Sequence, residues 1–444
     1  MRDIFLTAFV FGSIPYILRR PHIGVMMYVW LSVMNPHRLT WGFAYDFNFA
    51  AVIAAVTLFS AVVSRDRVRL PVNAVTIALF LFGAWTAVTT VFAFYPAGAY
   101  EKWVTLMKTL TMAFLIPILF HRKAHLRQLI WVLVLSIAYY GAKGGAWFVL
   151  TGGGGRVFGP PGSYIEDNNA LAVAVIMMIP LMRYLQLTTS RKVVKWGLSG
   201  MMALSGIGVL GSYSRGALVA VCTMLVFLLW KSHHRLTLSL FAVLMVPVAL
   251  SYMPERWYQR MDTIAAYEHD GSANMRLNAW GTMFNIARDR PLVGGGFEVD
   301  EKAVFDRYSP DPTFPPQVAH SIYFQAMGEH GFVGLALFLL LYFAMWWHSG
   351  ALVRASRNRR ELEWARHLGL MMQVTLIGYA VGGAFLSLVN YDVPYYLVAV
   401  IVAARALVAL EVRPARGVRG AARFTGVHGA PSPAATDTPR WSTR

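Results

Sequence analysis

Long apolar runs separated by short polar ones dominate the chain. Runs long enough for a membrane helix, which needs about 20 mostly apolar residues, lie at 48–63, 72–94, 102–120, 126–150, 168–187, 193–211, 215–231, 235–252, 331–348, 367–389 and 393–410. Arg19, Arg20 and Pro21 divide the first 34 residues, which predict either one broken span or a tight helical hairpin. No stretch alternates apolar and polar residues like a barrel strand, and backbone in lipid must find its partners internally. The pattern predicts an all-α polytopic membrane protein of about 12 transmembrane helices. Residues 1–252 form an N-terminal transmembrane bundle and 253–330 a large, partly helical outward loop. The last transmembrane helices occupy 331–410, and 411–444, rich in Arg, Ala, Pro, Gly and Thr, reads as a disordered basic tail.

Composition agrees, with 57% hydrophobic and 14% charged residues and a mean hydropathy of +0.48. The net charge of +18 raises the question of nucleic acid, and its distribution answers it. Alternate loops hold the bases: Arg65, Arg67 and Arg69; Arg122, Lys123 and Arg127; Arg191, Lys192 and Lys195; Lys231 and Arg235; Arg354, Arg357, Arg359, Arg360 and Arg366. The longest loop of the other set, 253–319, is net acidic. Basic loops face the cytoplasm, so the tail is cytoplasmic, 253–319 faces outward, and no nucleic-acid partner is expected. No signal-peptide pattern opens the chain, where Asp3 follows Arg2, and the N-terminus is expected to be retained. The single cysteine, Cys222, lies in an apolar run and is expected to be buried packing.

Candidate chemistry gathers on the outward side. In "GSYSRGALVA" (211–220) Arg215 stands where one span ends and the next begins. A helix N-terminus attracts anions, and an arginine adds a bidentate fork. Arg215 is thus either a ligand for a lipid-linked phosphate or an anchor to headgroups. "TGGGGRVFGPPGSYIEDNNALA" (151–172) offers Arg156, Asp167, Asn168 and Asn169, but without a Walker lysine its glycines are a weak phosphate motif. In "NMRLNAWGTMFNIARDRPLVGGGFEVD" (274–300) a helix is predicted to end at Pro291 and the glycines that follow. Arg276 and Trp280, four apart, share a face of it; Arg276 binds an anion or pairs with Glu268 or Asp270, while Arg288 and Arg290 resemble surface charges.

"AHSIYFQAMGEHGFVG" (319–334) leads into an apolar run that starts near Gly331. A continuous helical ramp over 320–331 is predicted to lift His320 about 15 Å above Gly331, with Phe324, Met327 and Gly331 on its face. Glu329 and His330 read as a structural pair at the interface, and Lys108, Lys143 and Arg183 as snorkelling or paired charges. The twelve histidines show no metal-ligand spacing.

Three stretches carry a family resemblance: "SRGA" (214–217), "RLNAW…PLVGGGF" (276–297) and "HSIYFQAMGEHGFVG" (320–334). They resemble the O-antigen ligase and O-antigen polymerase superfamily of bacterial membrane glycosyltransferases. The last is similar to a His-[Asn/Ser/Asp]-x-x-Leu-x6-Gly element, with Phe324 in the leucine position and Gly331 as the glycine. The N-terminal part, around "RRPHIGVMMYVWLSVMNPHRLTWGFAYDF" (19–47), is similar to O-glycosylation ligases associated with exosortase systems.

The resemblance implies a GT-C-like, metal-independent inverting transferase in the inner membrane, its site facing the periplasm and needing no cofactor. The donor would be a glycan on undecaprenyl pyrophosphate and the acceptor a sugar hydroxyl of lipid A–core, with membrane lipids around both. His320 would be the base and Arg215 with Arg276 the pyrophosphate ligands, with Arg288 in reserve for Arg276. Arg156, Asn168, Asn169 and Trp280 would be further contacts to pyrophosphate or glycan. A polymerase or a protein O-glycosylation ligase would use the same donor. A lipid-linked sugar transporter is the distant alternative, and the chain shows no internal repeat of the kind transporters carry.

Overall fold

The computed structural model of the chain describes residues 1–231, 247, 251, 253–262 and 271–412. The predicted span at 235–252, apart from single positions, the candidate partners Glu268 and Asp270, and nearly all of the tail lie outside the described residues. All regular structure among the described residues is helical. Seven helices are long and apolar enough to cross a membrane: Ala74–Val91, Pro96–Leu119, Lys123–Leu150, Asn168–Thr188, Lys192–Leu210, Ile322–Ala355 and Asp392–Val412. Arg2–Arg19, Pro21–Met34, Phe49–Val63, Arg215–Lys231 and Glu363–Gly383 pack among them. These helices correspond to predicted runs but are too short or too polar to meet the same test.

The first 34 residues form the tight hairpin. Arg20 leaves helical geometry at φ −143 and ψ 88, and Pro21 starts the next helix, where its missing N–H costs nothing. The two arms lie side by side: Phe9 meets Trp30 edge to face at 5.5 Å. Side chains then tie loops at each end of the bundle. At one end Asp3 accepts from the backbone of Gly42 and Ala44, Val157 N–H donates to Gly211 O, and Phe94 N–H donates to Gly295 O. This loop end gathers the segments predicted to share one face. At the opposite end Ser60 donates to Ile17 O, His121 meets Asp66 at 3.1 Å and Lys123 meets Glu411 at 2.9 Å.

Two expectations are corrected. Cys222 is exposed on the flank of Arg215–Lys231. In a chain built for lipid, the outer face of a helix is as apolar as the inner one, so apolar neighbours do not imply burial. Glu329 and His330 are buried within the bundle, not at an interface. The His330 ring is edge-on to Phe297 at 4.8 Å and its Nδ1 is 2.8 Å from Thr89 Oγ1, so its structural role stands.

The predicted continuous ramp is also interrupted. Ile322–Ala355 is two helices joined at Gly331, which has φ +71 and ψ −176, a conformation essentially reserved for glycine. The break removes the bonds that the carbonyls of 328, 329 and 330 would have accepted. Other groups replace them: Gly295 N–H donates to Gly328 O and Gly296 N–H to Glu329 O, both at 2.8 Å, and Trp85 Nε1 donates to His330 O at 3.0 Å. Phe332 N–H donates to Pro291 O at 2.8 Å. The "PLVGGGF" turn is therefore a plug fitted to the break.

A Cβ on Gly331 would sit 2.2 Å from Leu292 O, whereas one on Gly12 would meet nothing within 4 Å. Gly331→Ala is expected to cost roughly 2–5 kcal/mol from strain and overpacking, and Gly12→Ala to be neutral or slightly stabilising. Thermal unfolding in detergent checks this; equal melting temperatures for the two variants would overturn the plug.

Candidate functional site

Arg215 owes its place to a braced turn. Tyr213 adopts φ +58, and its hydroxyl donates to Gly153 O at 3.1 Å. Asn168 Nδ2 donates to Ser212 O at 2.6 Å, and Ser214 Oγ caps the new helix by accepting from Ala217 N–H at 3.2 Å. Arg215 is the first residue of that helix, at its positive end. The glycine-rich 151–155 stretch thus braces this turn.

Arg276 is placed by a register between two helices. Gly271–Asp289 lies along the first part of the kinked helix, where Trp280 stacks on Phe324 with centroids 5.1 Å apart and planes 5° from parallel. Further on, Gly328 leaves room for the Met283 side chain. The two segments run the same way, so one turn back from the stack brings Arg276 beside His320. Asn278 holds the proline-rich approach to His320, donating to Ser309 Oγ and Asp311 O and accepting from Asp311 N–H.

His320 precedes the helix instead of riding on it. Its backbone is left-handed, φ +46, and its N–H donates to Ser387 Oγ at 2.8 Å. Partial burial, then the positive charge of Arg276, lower the imidazole pKa from its ordinary value, with Asp167 opposing weakly. Both effects favour the neutral imidazole, the form that can accept a proton.

Arg215 and Arg276 line one small pocket together with Asn169, Tyr213, Ser214, Gly216, Ala217, Gly382, Phe385 and Leu386. Two guanidinium groups and a helix N-terminus around one space suit an anion with several oxygens. Among the described residues no three His, Cys, Asp or Glu side chains come together as a metal-ligand set.

Residues 200–339 match the O-Antigen ligase family. That segment, less than half of the chain, supports the O-antigen ligase superfamily. The ligase segment holds Arg215, Arg276 and His320, the three residues that the structure gathers. Residues 1–190 match a family of unknown function, DUF5935. No curated protein matches the chain.

Other candidate residues lie apart. Arg288 is exposed and lines a separate cleft with Asn285, Asp289, Arg307, Tyr308 and Ser309. It lies twelve residues, about 18 Å of helix, beyond Arg276. Arg156 is exposed on the loop. Asn168 is buried and occupied by Ser212, while Asn169 lines the pocket. Trp280 serves through its stack on Phe324. The sequence reading missed Ser387, Phe385 and Gly382, in a stretch read only as the end of a span. The one available signal was the polar interruption of "FLSLVNYD" (385–392) by Ser387, Asn390 and Asp392.

Phe324→Leu keeps an apolar side chain but removes the stack with Trp280. The expected loss is about 1 kcal/mol, read as a small fall in melting temperature. A fall as large as that of Gly331→Ala would mean that the stack, and not the plug, carries the register.

Proposed function

We propose that this protein transfers a glycan from a lipid-linked pyrophosphate to a hydroxyl acceptor, as an O-antigen ligase. The observation that carries this reading is the meeting of Arg215 and Arg276 in one pocket, with the half-buried His320 near enough to Arg276 for that charge to lower its pKa. The donor is a glycan on undecaprenyl pyrophosphate and the acceptor a sugar hydroxyl of lipid A–core. The acceptor oxygen attacks the anomeric carbon, and the bond from that carbon to the pyrophosphate oxygen breaks with inversion. His320 takes the hydroxyl proton, and Arg215 and Arg276 bind the pyrophosphate and stabilise the charge that grows on it as it leaves.

The alternation of basic and acidic loops supports a periplasmic loop end and a cytoplasmic C-terminus, in the inner membrane of a bacterium. A large outward loop over an α-helical bundle is consistent with a GT-C-like arrangement. A neutral base and two cationic ligands form a self-sufficient set for this chemistry, needing no cofactor.

The test is transfer in vitro with purified protein, defined donor and lipid A–core. His320→Ala is expected to lower turnover by roughly 10²–10⁴-fold with donor binding retained; normal turnover would remove His320 from the mechanism. Arg215→Ala and Arg276→Ala are each expected to weaken donor binding and to cut turnover by roughly 10²–10³-fold; unchanged affinity would move the site elsewhere. In cells, loss of the gene should leave lipid A–core bare while lipid-linked glycan accumulates. Short chains on the core would instead identify a polymerase.

The lowered pKa of His320 gives a pH expectation. The neutral base persists as pH falls below its ordinary value of about 6.5 and is lost only on passing through the lowered one. The acid limb of kcat/KM should therefore lie below pH 6.5, and Arg276→Ala should move it up by removing a positive neighbour. A limb that Arg276→Ala leaves in place would sever that coupling.

A further inference from the structure

The turn at 384–391, between Glu363–Gly383 and Asp392–Val412, lies beyond the segment matched to the ligase family, yet it touches both halves of the site. Phe385 packs over Gly216, its ring 3.1 Å from where a side chain there would begin, one residue after Arg215. Two residues further on, Ser387 Oγ accepts the backbone N–H of His320 at 2.8 Å.

That contact coincides with a backbone problem. His320 sits at φ +46, a region uncommon for residues other than glycine although histidine enters it more often than most, and the helix that follows begins only at Ile322. The conformation persists only if its surroundings impose it. The turn is built to do so. Tyr379 Oη donates to Leu388 O at 2.8 Å and Tyr395 Oη to Val389 O at 2.6 Å. Val389 N–H donates to Gln325 Oε1 at 3.1 Å, and the Gln325 amide donates in turn to Glu329 at 2.9 Å. Tyr323, three residues after His320, donates to Ala380 O at 2.9 Å. The turn is thus clamped to the helix His320 precedes, and Ser387 is the point where that rigidity reaches His320.

We propose that Ser387 is a positioning residue for His320: it holds the left-handed backbone that keeps the imidazole beside Arg276, one of the two arginines of the pocket. The proposal rests on His320 being the base. Ser387 acts on the proton-accepting group and leaves the pyrophosphate ligands in place, so its loss appears in kcat and not in KM for the donor. A displacement of about 1 Å in a catalytic group lowers turnover on the order of 100-fold.

The experiment compares Ser387→Ala, Ser387→Thr, His320→Ala and the His320→Ala/Ser387→Ala double variant in purified full-length protein. It records kcat, donor KM, donor binding and melting temperature. Ser387→Ala is expected to lower kcat about 10- to 100-fold, with donor KM, donor binding and melting temperature unchanged. Ser387→Thr, which keeps the hydroxyl, is expected to restore most of the activity. The double variant should be no slower than His320→Ala, because Ser387 acts only through His320. Wild-type kcat in Ser387→Ala overturns the proposal. So does a fall in kcat accompanied by lost donor binding and a lower melting temperature, or a further loss in the double variant, since these mark a general structural role. If His320→Ala keeps turnover, the base assignment itself fails; if His320→Ala is inactive while Ser387→Ala is normal, only the positioning role fails.

Discussion

A helix that stops inside a bundle leaves carbonyls without partners, and lipid offers no water to satisfy them. The break at Gly331 creates this need, and the backbone of Gly295 and Gly296, the indole of Trp85 and the carbonyl of Pro291 meet it. Once the glycine turn must sit at the break, the helix before it, Gly271–Asp289, has to lie along residues 322–330. That alignment produces the Trp280–Phe324 stack and the neighbouring positions of Arg276 and His320. The described part of the 253–319 loop is therefore seated against the bundle, held there by hydrogen bonds to a break inside a long apolar helix.

The electrostatics of the pocket follow from the same seating. Arg276 lines the space with Arg215 and also lowers the pKa of His320. In the proposed mechanism one guanidinium thus contributes twice, as a ligand for an anion and, after burial, as the neighbour that favours the neutral imidazole. Two like charges around one small space repel each other, and a pyrophosphate between them would offset that repulsion. Asp167, which pulls the histidine the other way, is engaged in capping its own helix through Asn169 and Ala170.

The helical architecture was legible because lipid imposes long apolar runs, and those runs can be counted. The three candidate residues that the structure brings near one another stand in motifs that the sequence displays at fixed places. What escaped reading depends on contacts between distant parts of the chain. "GEHGFVG" scans as uninterrupted helix because a glycine alone does not announce a break; the break becomes visible only with the turn from 291–297 in place. Ser387 lies 67 residues from the histidine whose N–H it accepts, and the polar interruption that contains it does not say which residue it meets. The exposure of Cys222 was unreadable because composition separates lipid-facing from core-facing positions poorly in a membrane bundle. The choice between a broken span and a hairpin for residues 1–34 needed the Phe9–Trp30 contact.

The joint at Gly331 also bears on how this chain is divided. Trp85 and Thr89 come from the part that matches one family, and the His330 they bond comes from the part that matches another. The two matches leave 191–199 between them, and that gap falls within and just before a single helix, Lys192–Leu210. What similarity separates into two modules is, in physical terms, one folding unit with a shared hydrogen-bonded keystone. A ligase segment transplanted alone would keep the bonds from Gly295 and Gly296 but lose the partners that Trp85 and Thr89 give His330, so the first 190 residues complete the joint.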